Sequence, residues 1–419
     1  MLSHSDGGGG AGRASSRLLH AFRGQGIDAE MIVDFRTTQS PFVHRVPGPW
    51  KDARRRVRIS IEEVPAYAAR FPQPRLFSPA IATALRSRFI NAQDVDVVNL
   101  QWINFGFLSI AEIGRIDKPL TWSMHDMWPF TGGLNYDDDG PDARWRDGFT
   151  QPHLTPAHQW WDVDRWVWRR KVRNWRRPIH LIASSSWMAS MAHDSPVTSS
   201  WPVTVIPNPV DTATYRPGSQ PESRAARGIP HDAHLVTALF PKNLNDPRKG
   251  FDLFVEALEH LARSAPSMSR PIHVAIAGHD TPPTDATIAG LNTHWWGYLD
   301  DDAAVDAYRA SDVVVIPSRQ DNSPQVATEA MACGTPVVAF DISGLPDFVH
   351  HEHTGYLARP FDAGDLAQGI ENILMSDTAR RRVLSESARQ QAEHAWSYAA
   401  VGEAHSRLFE QVIEESRHR

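Results

Sequence analysis

Short apolar runs alternate with longer amphipathic stretches along the whole chain, the pattern of parallel strands joined by crossover helices. In the first half the runs predict strands near Ala29–Val33, Val95–Leu100, Pro119–Met124, Ile179–Ala183 and Val203–Ile206. In the second half they predict strands near His234–Leu239, Ile272–Ala277, Val313–Ile316 and Pro336–Phe340, each followed by turn residues and a helical pattern. Between the halves lies IPNPVDTATYRPGSQPESRAARGIP, dense in Pro and small polar residues, which reads as a linker rather than a core element. The expected fold class is therefore α/β, with two Rossmann-like doubly wound parallel-sheet domains at 1–212 and 213–395. A last helical stretch, 396–415, places Tyr398, Val401, Leu408 and Val412 on one side and is expected to pack back on the first domain. Only Met1–His4 remain for a strand before the first glycine loop, so either the opening strand is very short or the true start lies further upstream.

Composition narrows the class. The 419 residues are 41% hydrophobic and 22% charged, enough for two cores, and the formal charge of -6 disfavours a partner such as nucleic acid. The single cysteine, Cys333, fits a reducing, cytoplasmic setting. No apolar run approaches the roughly 20 residues of a membrane span, and the opening MLSHSDGGGG lacks the apolar segment of a signal peptide.

Chemistry enters first at GGGGAG, Gly7–Gly12, followed by a helical pattern. Glycines at a strand end let backbone approach a ligand, and the next helix offers unpaired N–H groups to an anion; Gly9 and Gly10 are the candidate phosphate-facing residues. Gly7, Gly9 and Gly12 meet the bare GxGxxG spacing, a weak signal by itself, and the lysine of a Walker loop is missing; NAD and ATP are disfavoured.

The second candidate is SRQDNSPQVATEAMACGTPVVAF, Ser318–Phe340. A strand ends at Ser318, and a polar loop leads to a helix expected to be capped by Asn322 or Ser323, with Pro324 at its first position. Ser323, Pro324 and Gln325 would then present amides to a diphosphate, while Asp321 and Glu329 offer carboxylates suited to sugar and ribose hydroxyls.

With an acid, Asp321, seven residues and then EAMACGTPVV from Glu329 to Val338, the segment resembles the signature of retaining glycosyltransferases of family four, which have the GT-B fold of two such domains across a cleft. Further similarity lies in IPNPVD at Ile206, DPRKGFD at Asp246, AGHD at Ala277, YRASDVVVIPS and HTGYLARPFD at His353. The resemblance implies Lys249, with Arg248, on the donor diphosphate and Glu329 on the ribose. Asp321 stands where the family usually has glutamate, one methylene shorter; a displacement of about 1 Å in a positioning contact can cost up to around a hundredfold in rate.

TWSMHDMWPFTGG, Thr121–Gly133, leaves a first-half strand with His125 and Asp126 directly behind it. The wording HDMWPFTGG resembles a polysaccharide-assembly branch, which implies His125 as a donor-sugar contact. RWVWRRKVRNWRR, Arg165–Arg177, has two readings: a surface helix with Val167, Val172 and Trp175 inward, which is the simpler, or a peripheral contact with the inner membrane surface anchored by Trp166, Trp168 and Trp175. The acidic triplet Asp300–Asp302 reads as a helix N-terminus, and neither it, Asp137–Asp139 nor the His350–His353 cluster has the setting of a metal site.

Together these readings predict a retaining, metal-independent glycosyltransferase. Its catalytic set is His125, Lys249 and Asp321, with no cofactor beyond a UDP- or GDP-sugar donor and a glycan or lipid-linked acceptor. Base contacts are expected near His279 and Trp296–Leu299. A sugar-nucleotide epimerase on the same scaffold, or a catalytically decayed binding protein, are the alternatives.

Overall fold

Buried β-branched runs pair edge to edge into two sheets in which every strand pairing is parallel. The computed structural model describes residues 1–47, 51–69, 76–150, 162–240, 244, 246–268, 270–278 and 287–418. The first sheet contains β1 (Leu2–Ser5), β2 (Met31–Phe35), β3 (Val43–Arg45), β4 (Val98–Leu100), β5 (Leu120–Met124), β6 (His180–Ala183) and β7 (Val203–Val205), in the order β3-β2-β1-β4-β5-β6-β7. The second contains β8 (His234–Leu239), β9 (Ile272–Ala277), β10 (Asn292–Gly297), β11 (Val313–Ile316), β12 (Val337–Phe340) and β13 (Gly355–Ala358), in the order β10-β9-β8-β11-β12-β13. Each sheet winds outward in one direction from its first strand and then in the other from its fourth. The winding therefore reverses between β1 and β4 in one and between β8 and β11 in the other, where α/β sheets hold ligands at the strands' carboxyl ends.

Two compact units result: Met1–Asn208 together with Val401–Arg419, and Pro209–Ala400. In the first, the helix Tyr398–Arg417 lays Val401, Leu408, Phe409 and Val412 against Leu18, Leu19 and Phe22 of the helix Gly10–Gly24. Gly402 permits that approach, because a β-carbon there would run into the carbonyl of Ala21.

Four strands escape the hydrophobic pattern for physical reasons. β3, β10 and β13 are sheet edges, with fewer apolar side chains to bury. β1 reads LSHS, yet lies centrally; its Ser3 hydroxyl donates to the Ser5 carbonyl at 2.8 Å and is buried without an apolar signature.

Two expectations are corrected. The presumed linker contributes core: Val210 and Tyr215 are buried, and the helix Gln220–Arg227 ties Arg224 to Asp312 at 2.8 Å inside the second unit. The basic stretch forms the helix Val163–Asn174 with Val167 and Trp175 buried, but Val172 faces out and Lys171 is the residue that turns in, at 0% exposure. Trp166 and Trp168 pack against the first core.

Candidate active site

At the reversal point of the second sheet, two loops meet. The one after β8 ends in a single 3-10 turn, Pro247–Lys249, whose Asp246 accepts from the Arg248 amide at 3.1 Å. Gly250 follows with φ 65°, a left-handed conformation, and its α-carbon lies so close to the Pro317 carbonyl that no side chain would fit. This contact brings Lys249 beside the loop after β11, where its ammonium donates to Asp321 Oδ2 at 2.6 Å. The Arg319 amide donates to the Arg248 carbonyl at 2.7 Å, and the Arg319 guanidinium grips Asp252 at 2.6 and 2.7 Å, so the two loops are tied through backbone as well. Asp321, at 8% exposure, is fixed further by its carbonyl, which accepts from the Gly344 amide at 2.9 Å.

The helix after this loop spans Gln325–Ala332, one residue later than the sequence suggests. Pro324 is its N-cap and no side chain caps it, which corrects the expected capping by Asn322 or Ser323. Proline holds the required φ without offering an acceptor, so the first-turn amides keep their partial positive charge. Glu329, on this helix and 2% exposed, accepts from the Tyr308 hydroxyl at 2.8 Å. Burial, together with that carboxylate, pushes the Tyr308 phenol well above its ordinary range. The Arg248 guanidinium turns to Asp246 at 2.7 Å. Thus Lys249, Asp321 and the Pro324–Gln325 helix start share one corner of the second unit, with Glu329 farther along the same helix.

In the first unit the glycine loop follows β1. Gly9 is the N-cap of the helix Gly10–Gly24, without a side-chain cap, and Gly12 packs so tightly on the Gly7 backbone that a β-carbon would collide. Asp6, just before the loop, accepts from the Thr37 and Thr38 amides at 2.6 and 2.9 Å. His125 leaves β5, and its Nε2 lies 2.8 Å from Gln101 Oε1. The Gln101 amide nitrogen reaches the Asn99 side chain and, at 3.2 Å, Ser123 Oγ, which assigns its oxygen to the imidazole and leaves Nδ1 as an acceptor. Burial lowers the His125 pKa to about 4, so the ring is neutral at pH 7. Ser15 Oγ, on the glycine-loop helix, is 3.4 Å from the same Gln101 oxygen; His125 and that helix are thereby linked through one amide.

Sequence reasoning missed the groups that hold these pieces. Lys171 donates to the carbonyls of Trp128, Thr131 and Gly132, and its ammonium sits 4.0 Å over the Trp128 ring. Asp164 accepts from the Gly133 amide at 3.0 Å, and burial pushes its pKa up to about 6. Asp126 accepts from Trp102 Nε1 at 2.8 Å and from the Trp128 amide at 3.0 Å. HDMWPFTGG is therefore shaped by a buried lysine and two buried acids; a lysine inside a run of surface cations gives no signal of burial. His279 lies outside the described residues, while Trp296 is in β10. Asp300 caps the helix Asp301–Ala310, accepting from the Ala303 amide at 2.9 Å.

Residues 8–214 match the family model Glycosyltransferase Family 4, and residues 236–376 match Glycosyl transferases group 1. The chain belongs to glycosyltransferase family 4. This family 4 chain is 35% identical over 201 residues to the D-inositol 3-phosphate glycosyltransferase of Saccharomonospora viridis, covering 45% of this chain and 46% of that protein. It is 27% identical over 234 residues to the enzyme of the same name from Rhodococcus erythropolis, covering 53% and 52%. It thus spans about half the length of the curated relatives it matches. Among solved structures it resembles sucrose-phosphate synthase of Thermosynechococcus elongatus, with TM-score 0.63, 19% identity and 99% and 96% of the two chains covered. Anabaena HepE, solved with UDP and glucose, gives TM-score 0.61 at 15% identity over 98% and 99%. Both neighbours are GT-B glycosyltransferases, and the two all-parallel sheets described above are that fold.

Proposed function

We propose that the chain moves a sugar from a UDP- or GDP-sugar to a hydroxyl of a glycan, glycolipid or other surface-polysaccharide precursor, with retention at the anomeric carbon and without a metal. The observation that carries this reading is the 2.6 Å pair of Lys249 and Asp321 beside an N-terminus that no side chain caps, at the reversal point of the second sheet. The second unit takes the donor: Lys249, Arg248 and the amides of Ser323, Gln325 and their neighbours meet the diphosphate, Asp321 the sugar and Glu329 the ribose. The first unit takes the acceptor, with Gly9 and Gly10 offering amides to phosphate oxygens and His125 accepting a donor-sugar hydroxyl at its free nitrogen.

In the transfer step the bond from the anomeric carbon to the diphosphate oxygen breaks, and the acceptor hydroxyl enters from the same face. Negative charge grows on the leaving diphosphate, where Lys249 and aligned amides, fixed beforehand, stabilise it. These groups supply the positive charge a cation would bring. The curated relatives are named for transfer to an inositol phosphate, which places a small phosphorylated polyol among the acceptors worth trying. A membrane contact would have to be made by exposed Arg169, Arg173, Arg176 and Arg177, since Trp175 and Lys171 are buried.

A thermal-shift screen of UDP-, GDP-, ADP- and TDP-sugars identifies the donor, because a bound ligand raises apparent stability by mass action. Turnover should then persist in EDTA and give a product of unchanged anomeric configuration by NMR. Loss of turnover on chelation, restored by Mg²⁺ or Mn²⁺, would refute the metal-free part. Isomerised donor without acceptor would favour an epimerase.

A further inference from the structure

Strands β4 and β5 pair in parallel with Asn99 opposite Thr121, and side chains two apart on a strand share a face. Asn99 and Gln101 on one run, and Thr121, Ser123 and His125 on the other, therefore form one column that ends at the carboxyl end of the sheet. A parallel sheet covered on both faces normally fills such a column with Val, Ile or Leu. Here Asn99, Gln101, Thr121 and Ser123 are all buried. Asn99 Nδ2 donates to Thr121 Oγ1 at 3.0 Å and to Ser123 Oγ at 3.2 Å, so its oxygen is left for the amide nitrogen of Gln101. Gln101 Nε2 also reaches Ser123 Oγ at 3.2 Å, and the Gln101 oxygen meets His125 Nε2 at 2.8 Å. Turning the Gln101 amide over would set its oxygen against the Asn99 oxygen, two acceptors face to face in a buried place. The titratable groups around the imidazole are engaged elsewhere: Asp126 accepts from Trp102 Nε1 and the Trp128 amide, Lys171 donates to three carbonyls, and the Tyr136 hydroxyl donates to the His125 main-chain carbonyl at 3.3 Å. On β1, the His4 ring packs on Trp102.

We propose that Gln101 is a positioning residue for sugar transfer: it holds the His125 proton on Nε2 and so keeps Nδ1 as the acceptor for a hydroxyl of the donor sugar. This deepens the role given above to His125 and rests on that reading. A neutral imidazole has one donor and one acceptor nitrogen, and the partner of the first decides which is the second. With an apolar side chain at 101 the proton is free to move to Nδ1, where it would confront the sugar's hydroxyl hydrogen instead of offering a lone pair. With a carboxylate at 101 the imidazolium is favoured, and both nitrogens become donors. The column also gives a reason for burying polar groups inside the sheet: Asn99 and Ser123 orient Gln101, as Gln101 orients His125.

The test reads the proton first and the reaction second. Long-range proton–nitrogen NMR spectra of the full chain carrying 15N-histidine identify the His125 ring by its absence from His125→Gln. The unaltered chain should show a ring protonated on Nε2 at neutral pH, and Gln101→Met a ring mixed between the two tautomers. With the sugar nucleotide that the thermal screen selects, kcat/KM for transfer should fall about tenfold in Gln101→Met, the scale of one hydrogen bond. Gln101→Glu keeps an oxygen opposite Nε2, so it should recover most of the rate near pH 8 and lose it about tenfold, relative to the unaltered chain, near pH 6 as the imidazolium forms. A Gln101 that only supports the fold would lower stability without moving the tautomer or adding that acid-side loss. A proton on Nδ1 in the unaltered chain overturns the proposal without any variant having to fold, and so does an unchanged His125 signal in Gln101→Met. A changed tautomer with unchanged transfer in both variants removes His125 from the donor sugar and overturns the role of Gln101 in transfer. No transfer by the unaltered chain, with the tautomer still dependent on Gln101, sinks the transferase reading alone and upholds the control of His125 by Gln101.

Discussion

Lys249 and Asp321 lie on loops from adjacent strands, β8 and β11, and join across 2.6 Å where the second sheet reverses its winding. The pair holds a cation and an acid at one spot before any substrate arrives. Its members have different fates on substitution. Lys249→Ala should lower kcat/KM for the donor by about a hundredfold or more, the usual scale for losing one preorganised charge on a leaving group. Asp321→Asn should lower kcat while donor binding persists. Steady-state kinetics with both variants checks this; unchanged kcat/KM in Lys249→Ala would remove Lys249 from the diphosphate.

Glu329 depends on Tyr308, which donates to it from a fully buried position. Tyr308→Phe leaves the carboxylate short of one hydrogen bond and free to turn. If Glu329 grips the ribose equally in ground and transition states, the donor KM should rise by roughly tenfold with kcat unchanged, a loss of about 1–2 kcal/mol of uniform binding. A fall in kcat instead would put Glu329 in the chemical step.

Lys171 is held inside the first unit by three carbonyls, and burial lowers its pKa well below the ordinary lysine value. Lys171→Met keeps the apolar stem but strands those carbonyls and the nearby acids Asp126 and Asp164. A loss of about 3–5 kcal/mol in unfolding free energy is expected from urea titration, as for breaking a buried ion pair. Arg169→Gln, on the exposed side of the same helix, should change stability by less than about 0.5 kcal/mol.

Four histidines, His4, His125, His234 and His405, have pKa values lowered from 6.5 to about 4, in each case chiefly by burial. Between those two values the unfolded chain binds more protons than the folded one, so stability rises with pH across the window and falls as acid is added. The melting temperature should therefore drop steadily from pH 6.5 to 4. His405→Leu, replacing a ring packed 4.9 Å from Phe22 and 5.8 Å from Phe409, should flatten that slope. A slope identical to that of the unaltered chain would show His405 to be protonated in the fold.

The apolar runs at His234–Leu239, Ile272–Ala277 and Val313–Ile316 were sufficient to place β8, β9 and β11 residue for residue, because strands buried on both faces read as unbroken hydrophobic segments. Glu329–Val338 likewise announced the family from local wording alone. Partnership was not legible. Whether Lys171 faced water or core, and whether Arg224 in a Pro-rich stretch was surface or buried opposite Asp312, depended on elements distant in sequence. Charge and composition are properties of one position; burial and hydrogen-bond satisfaction belong to a pair. The sequence could therefore name the acids and cations of the candidate site, and only the closing of β8 against β11, through the glycine at 250, decided which of them would touch.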